Sequence, residues 1–109
     1  MSHIYLQRAI RNNEVVAFTY QNIPRIVEPY TLGLNADGQI TLTAWQVSGG
    51  KQVGWHDFLI DKIRGASPTG LYFRDSRAGY NPAAPTMKHV LAQFKPLGDA
   101  AVATSGTRW

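Results

Sequence analysis

The strongest constraint on this fold is the stretch over residues 25–46, where two alternating runs meet at Asn35-Ala36-Asp37-Gly38. Asp-Gly is a strong short-range hairpin signal, because glycine supplies the positive φ that a tight turn demands. The returning run, residues 39–46, puts Ile40, Leu42 and Ala44 on one face and Thr41, Thr43 and Trp45 on the other. That period of two is the pattern of a half-buried strand. A lone hairpin is marginal in water, so further strands must cover its apolar face.

Those strands are legible on both sides. Upstream, Glu14-Val15-Val16-Ala17-Phe18-Thr19-Tyr20 is rich in β-branched and aromatic residues, with Val16, Phe18 and Tyr20 on one face. Gln21-Asn22-Ile23-Pro24 is a turn. The strand over residues 25–34 contains Pro29, which donates no ladder bond, so it is an edge, bulged or sharply bent there. After the hairpin loop Ser48-Gly49-Gly50-Lys51, residues 52–60 form the next strand. Ile63 opens a fifth, ending in the turn Ser67-Pro68-Thr69-Gly70. Ser2 caps a short helix carrying Ile4, Leu6, Ala9 and Ile10, which stops at Asn12-Asn13 and must dock to be stable.

Beyond Phe73, residues 75–85 read as a loop. Thr86 then caps a helix expected over residues 87–95, whose stripe Met87, Val90, Leu91 and Phe94 has the i, i+3, i+4, i+7 spacing. The stripe packs either on its own barrel or on a second copy of the chain. The expectation is a mainly β fold with short flanking helices: a small β-barrel of about five antiparallel strands. Its barrel domain and N-terminal helix occupy residues 1–73, the loop and C-terminal amphipathic helix residues 74–96, and a disordered tail residues 97–109. Val16, Phe18, Leu42, Ala44, Phe58 and Ile60 are expected in the core.

Composition bounds the function. The 109 residues make about one domain, and no apolar run reaches the roughly 20 residues of a spanning helix. Residues 1–8 lack the order of charge, apolar stretch and cleavage site of a signal peptide. The expectation is a cytoplasmic chain with no membrane partner. There are no cysteines, hence no disulfide and no thiolate chemistry. The net charge of +4 favours an anionic partner or reflects solubility alone, since the eleven Lys and Arg residues are scattered.

Catalytic and cofactor motifs are missing. There is no Gly-x-Ser-x-Gly, and His3, His56 and His89 are not spaced as metal ligands. Asp57 and Asp61 share strand parity but read as surface carboxylates. Gly65-Ala66-Ser67-Pro68-Thr69-Gly70 has the glycine spacing of a phosphate loop. Leu71 and Tyr72 stand where its Lys and Ser or Thr belong, so the match fails. No enzyme, metal or cofactor is expected.

Several stretches in order resemble the WYL domain, a bacterial ligand-sensing module named for a Trp-Tyr-Leu signature. They are Arg8-Ala9-Ile10-Arg11, Val16-Ala17-Phe18-Thr19-Tyr20, Arg25-Ile26-Val27-Glu28-Pro29-Tyr30 and Phe58-Leu59-Ile60-Asp61-Lys62-Ile63. The resemblance spans roughly residues 4–73. The signature tripeptide is Ile40-Thr41-Leu42 here, and Lys62 stands for the usual arginine. The resemblance implies an Sm-like or SH3-like barrel that binds a nucleotide or single-stranded nucleic acid and regulates a neighbour. Here that neighbour would be a separate effector protein or a second copy in a homodimer.

On this reading Arg25 is the leading ligand contact, its planar fork suiting phosphate; the alternative is an ion pair with Glu28 or Asp61. Lys62 and Arg64 could add charge, with His56 beside them. Trp45 and Trp55 could stack a base or form a minor core. Tyr20 and Tyr30 pack while satisfying their hydroxyls. The alternative function is a protein–protein or self-association module using Met87, Val90, Leu91 and Phe94.

Overall fold

The computed structural model describes residues 2–50 and 53–95. Helix α1 (Ser2–Arg11) precedes β1 (Glu14–Tyr20), β2 (Ile23–Asn35), β3 (Ile40–Ser48), β4 (Gly54–Leu59), β5 (Ile63–Tyr72) and β6 (Met87–Gln93). A 3-10 turn at Ile60–Lys62 links β4 to β5. The chain is mainly β and antiparallel, in the order β4-β3-β2-β1-β5, with β6 joined to β2 off that path. The expected mainly β, small barrel-like fold is present, with one qualification of geometry: the two end strands, β4 and β5, do not pair, so the sheet is open rather than closed.

The β2–β3 hairpin forms as its turn residues dictate. The backbone N–H of Asn35 donates to Gln39 O, and that of Gly38 to Asn35 O, both at 3.0 Å. Asn35 Oδ1 accepts from the N–H groups of Asp37 and Gln39 at 2.9 Å each. Strand β2 pairs with β3 along one edge. Its other edge serves β1 up to Val16↔Val27 and then β6 from Thr31↔Gln93. Pro29 lies at the changeover, where the β2–β3 register shifts between Pro29 and Thr31. Of the three alternatives for this proline, the bulge is realised.

Two expectations are corrected. Residues 63–72 form one edge strand rather than a strand ending in a turn at Ser67-Pro68-Thr69-Gly70. Pro68 is tolerated because β5 stands at the end of the strand order. The Thr69 hydroxyl donates to Val15 O and accepts from Leu71 N–H, bridging the bulged register. The C-terminal amphipathic helix is instead strand β6, making α1 the one α-helix among the described residues. An eight- or nine-residue helix is marginal alone, whereas β2 offers residues 31–35 as an unfilled ladder. The tail expected over residues 97–109 lies outside the described residues.

Alternation divides the apolar residues between two faces. Leu6, Ala9 and Ile10 of α1 pack on Val16, Phe18, Tyr20, Val27, Leu32, Leu42, Ala44, Phe58 and Ile60. Each such burial contributes about 1.5–3 kcal/mol for a large apolar side chain. The opposite face carries Val15, Tyr30, Phe73 and Phe94, with Trp45, Trp55 and Tyr80 against them. All six expected core residues are buried in the helix-side cluster.

Strand β6 leaves a sharp test. A Cβ on Gly33 would lie 2.4 Å from the backbone oxygen of His89, so Gly33→Ala must push β6 away from β2. The expected loss is about 1–3 kcal/mol in urea unfolding. A loss within about 0.3 kcal/mol would place residues 87–93 away from β2.

Candidate functional site

The register separates the groups that the sequence reading combined. Phe18↔Arg25 puts Arg25 on the helix side, and Ala44↔His56 and Leu42↔Phe58 put His56 there too. Trp45↔Trp55 falls on the opposite face. Thr19↔Arg64 sends Arg64 outward, and Lys62 is exposed in the 3-10 turn. The expected combination of Arg25, a basic neighbour and two indoles is therefore corrected: the sheet stands between its parts.

Arg25 is buried, at 8% exposure. Its guanidinium donates to Gln46 Oε1 at 2.9 Å, Tyr20 O at 3.3 Å and Gln21 Oε1 at 3.5 Å. It lies over the rings of Tyr20 and Phe58 at 5.7 and 5.9 Å. These contacts make it a strut between the β1–β2 turn and the end of β3. Neither expected ion pair forms: Glu28 bonds Arg77, and Asp61 sits in the 3-10 turn with its backbone oxygen accepting from Arg64. That turn also breaks the shared parity of Asp57 and Asp61. The Tyr20 hydroxyl accepts from Leu59 N–H at 3.1 Å, as a packed tyrosine should.

The stripe Met87, Val90, Leu91 and Phe94 is likewise dispersed. In a strand these positions no longer share a face. Phe94 is buried beside Tyr30, Leu91 leans on the helix-side core and Val90 is 38% exposed.

The opposite face holds the most organised polar group. Arg77, in the loop after β5, grips Glu28 with two bonds, Nε to Oε1 and Nη2 to Oε2, each 2.9 Å. The Tyr30 hydroxyl donates to Glu28 at 3.2 Å and accepts from the Arg77 backbone N–H at 2.9 Å. Arg77 also lies 5.3 Å from the Trp45 ring centre. The loop is thereby drawn across the indoles. Trp55 Nε1 donates to Ala78 O at 2.8 Å, and Gly79 approaches so closely that a Cβ there would meet Trp55 Nε1 at 2.9 Å.

Between this loop and the sheet lies a cleft of about 220 Å³, walled by Trp55, Tyr80, Thr31, Thr43, Asp57 and the loop around Asn81. Trp45 and Trp55 meet edge to face with centres 5.5 Å apart, so they form no flat platform. Trp55 and Tyr80 are the near-parallel pair, at 24° and 6.4 Å. The Thr43 hydroxyl donates to Asp57 Oδ1 at 2.6 Å. Among the described residues, no group of three or more His, Cys, Asp or Glu side chains could hold a metal ion. Nor is any helix among the described residues long and apolar enough to cross a membrane.

Sequence reasoning missed Tyr80, Arg77 and the role of Asp57. Tyr80 sits in a segment without periodicity, and Arg77 is 49 residues from its partner. Asp57 does carry a signal: it stands directly opposite Thr43.

Two outcomes follow. Arg77→Ala leaves Glu28 buried beside only the Tyr30 hydroxyl, at an expected cost of about 1–3 kcal/mol in unfolding free energy, with a red shift of tryptophan emission. Unchanged stability and emission would show that the loop is held by other contacts. The second outcome concerns alkali. Burial raises the Tyr30 hydroxyl above its ordinary 10.0, Glu28 adding to the rise, and burial raises Tyr80 as well. The unfolded phenols thus release protons first. The stabilisation is present below that ordinary value and is lost as pH climbs through the folded values. Urea midpoints should fall between about pH 9 and about pH 11, and absorbance titration should show phenols ionising late. A flat midpoint would contradict this.

Comparison with protein families, with curated proteins and with solved structures finds no match for the chain.

Proposed function

We propose that this chain is a ligand-sensing module, not an enzyme, that receives the flat ring of a nucleotide or of single-stranded nucleic acid in the cleft beneath the loop over residues 79–86. The observation that carries the reading is the pairing of aromatic and polar walls. Trp55 and Tyr80 line a space of about 220 Å³ together with Thr43 and Asp57. A ring gains dispersion and stacking from the aromatic groups, while the hydroxyl and carboxylate fix its orientation. The resemblance to WYL domains supports the same ligand class. It does so through the aromatic cleft, since Arg25 is buried on the other side of the sheet. Signalling would pass through the loop to a separate effector protein.

The test is titration of the four nucleosides, their monophosphates and a short oligonucleotide, followed by tryptophan fluorescence. Saturable quenching is expected with at least one of them. Tyr80→Leu should weaken binding by about 1–3 kcal/mol, the worth of one stacked base. Absence of saturable binding at millimolar concentration overturns the reading.

A self-association module is the second reading. Leu71 and Tyr72, each 63% exposed at the end of edge strand β5, favour it. Sedimentation of the same samples would reveal it as a concentration-dependent dimer.

A further inference from the structure

Resting on the cleft reading above, we infer that the cleft selects a heterocycle through adjacent N–H donors, as on the amino–imino edge of guanine, and leaves any phosphate outside. The selecting residue is Asp57.

Asp57 stands on β4 directly opposite Thr43 of β3. The Thr43 hydroxyl donates to Oδ1 at 2.6 Å, which tethers one oxygen of the carboxylate. Oδ2 carries no hydrogen bond to another described residue. A carboxylate accepts at both oxygens, and Oδ1 keeps a second lone pair, so the group presents two acceptors side by side. Their complement is a pair of parallel N–H donors. Charge-assisted bonds of this kind are shorter and stronger than neutral ones.

Two other polar groups of the cleft are already engaged. The Tyr80 hydroxyl donates to Phe94 O at 3.2 Å, and Asn81 Oδ1 accepts from Ala83 N–H at 2.9 Å. Asp57 is the one carboxylate among the described residues lining the cleft, and no Lys, Arg or His is among them. A phosphate drawn into this space would meet a like charge with no cation to offset it. Arg77, on the same face of the sheet, is held by Glu28. The base edge therefore enters and a phosphate, where there is one, points to solvent.

The experiment is calorimetric titration of the chain with guanosine, with inosine, which lacks the amino group, and with guanosine monophosphate. Guanosine should bind about 10-fold or more tightly than inosine, the worth of one charge-assisted bond. Guanosine monophosphate should bind no more tightly than guanosine and with little dependence on salt, since few counterions are released. Asp57→Asn should erase the preference. Asp57 is exposed, so the variant should fold, and circular dichroism verifies this. If it does not fold, the guanosine-to-inosine ratio of the unaltered chain decides alone. A ratio near one, a ratio unchanged by Asp57→Asn, or a strong salt-dependent gain from the phosphate overturns the inference. The cleft reading survives those results if Tyr80→Leu still weakens binding. If no nucleoside binds, both fall.

Discussion

Strand β2 has thirteen residues whose backbone groups need partners on two edges, and the rest of the sheet is arranged around that need. One edge is met by β3. The other is too long for β1, whose last partner is Val27, so β6 fills the remainder from Thr31. The changeover falls around Pro29 and Tyr30, where the register shifts and Tyr30 O accepts from Phe94 N–H at 2.6 Å. A residue with no N–H costs least at such a break.

The break has consequences for both faces. Glu28 and Tyr30 flank Pro29, and they are the groups that Arg77 engages. The changeover in pairing and the attachment of the loop thus occur at one place. A guanidinium held by two bonds to a buried carboxylate is geometrically specific, which makes the loop a defined wall and not merely a cover. On the helix side, Arg25 does comparable work with neutral acceptors and two aromatic rings. The chain spends one arginine on each face to hold irregular segments, and neither is displayed as a phosphate receptor.

This arrangement also explains why a chain of net charge +4 has a candidate site without a cation. Net charge is a property of the whole surface, whereas a cleft responds to its own walls. Those walls are aromatic rings, hydroxyls and one carboxylate, which is the chemistry behind the proposed preference for a stacked, donor-bearing heterocycle.

The sequence by itself determined what depends on neighbours along the chain. The hairpin at Asn35-Ala36-Asp37-Gly38, the alternation that buries Val16, Phe18, Leu42 and Phe58, and the short helix ending at Asn12-Asn13 all follow from local geometry. Tertiary structure decided what depends on distant partners. Met87, Val90, Leu91 and Phe94 have the spacing of a helix, yet they lie in or beside a strand because β2 presents an unfilled ladder. Arg25 and the indoles are separated by register, since a shift of one residue sends a side chain to the other face. Tyr80, Arg77 and Asp57 converge on one face only after the loop folds back over the sheet, and no period in the chain encodes a contact between residues so far apart.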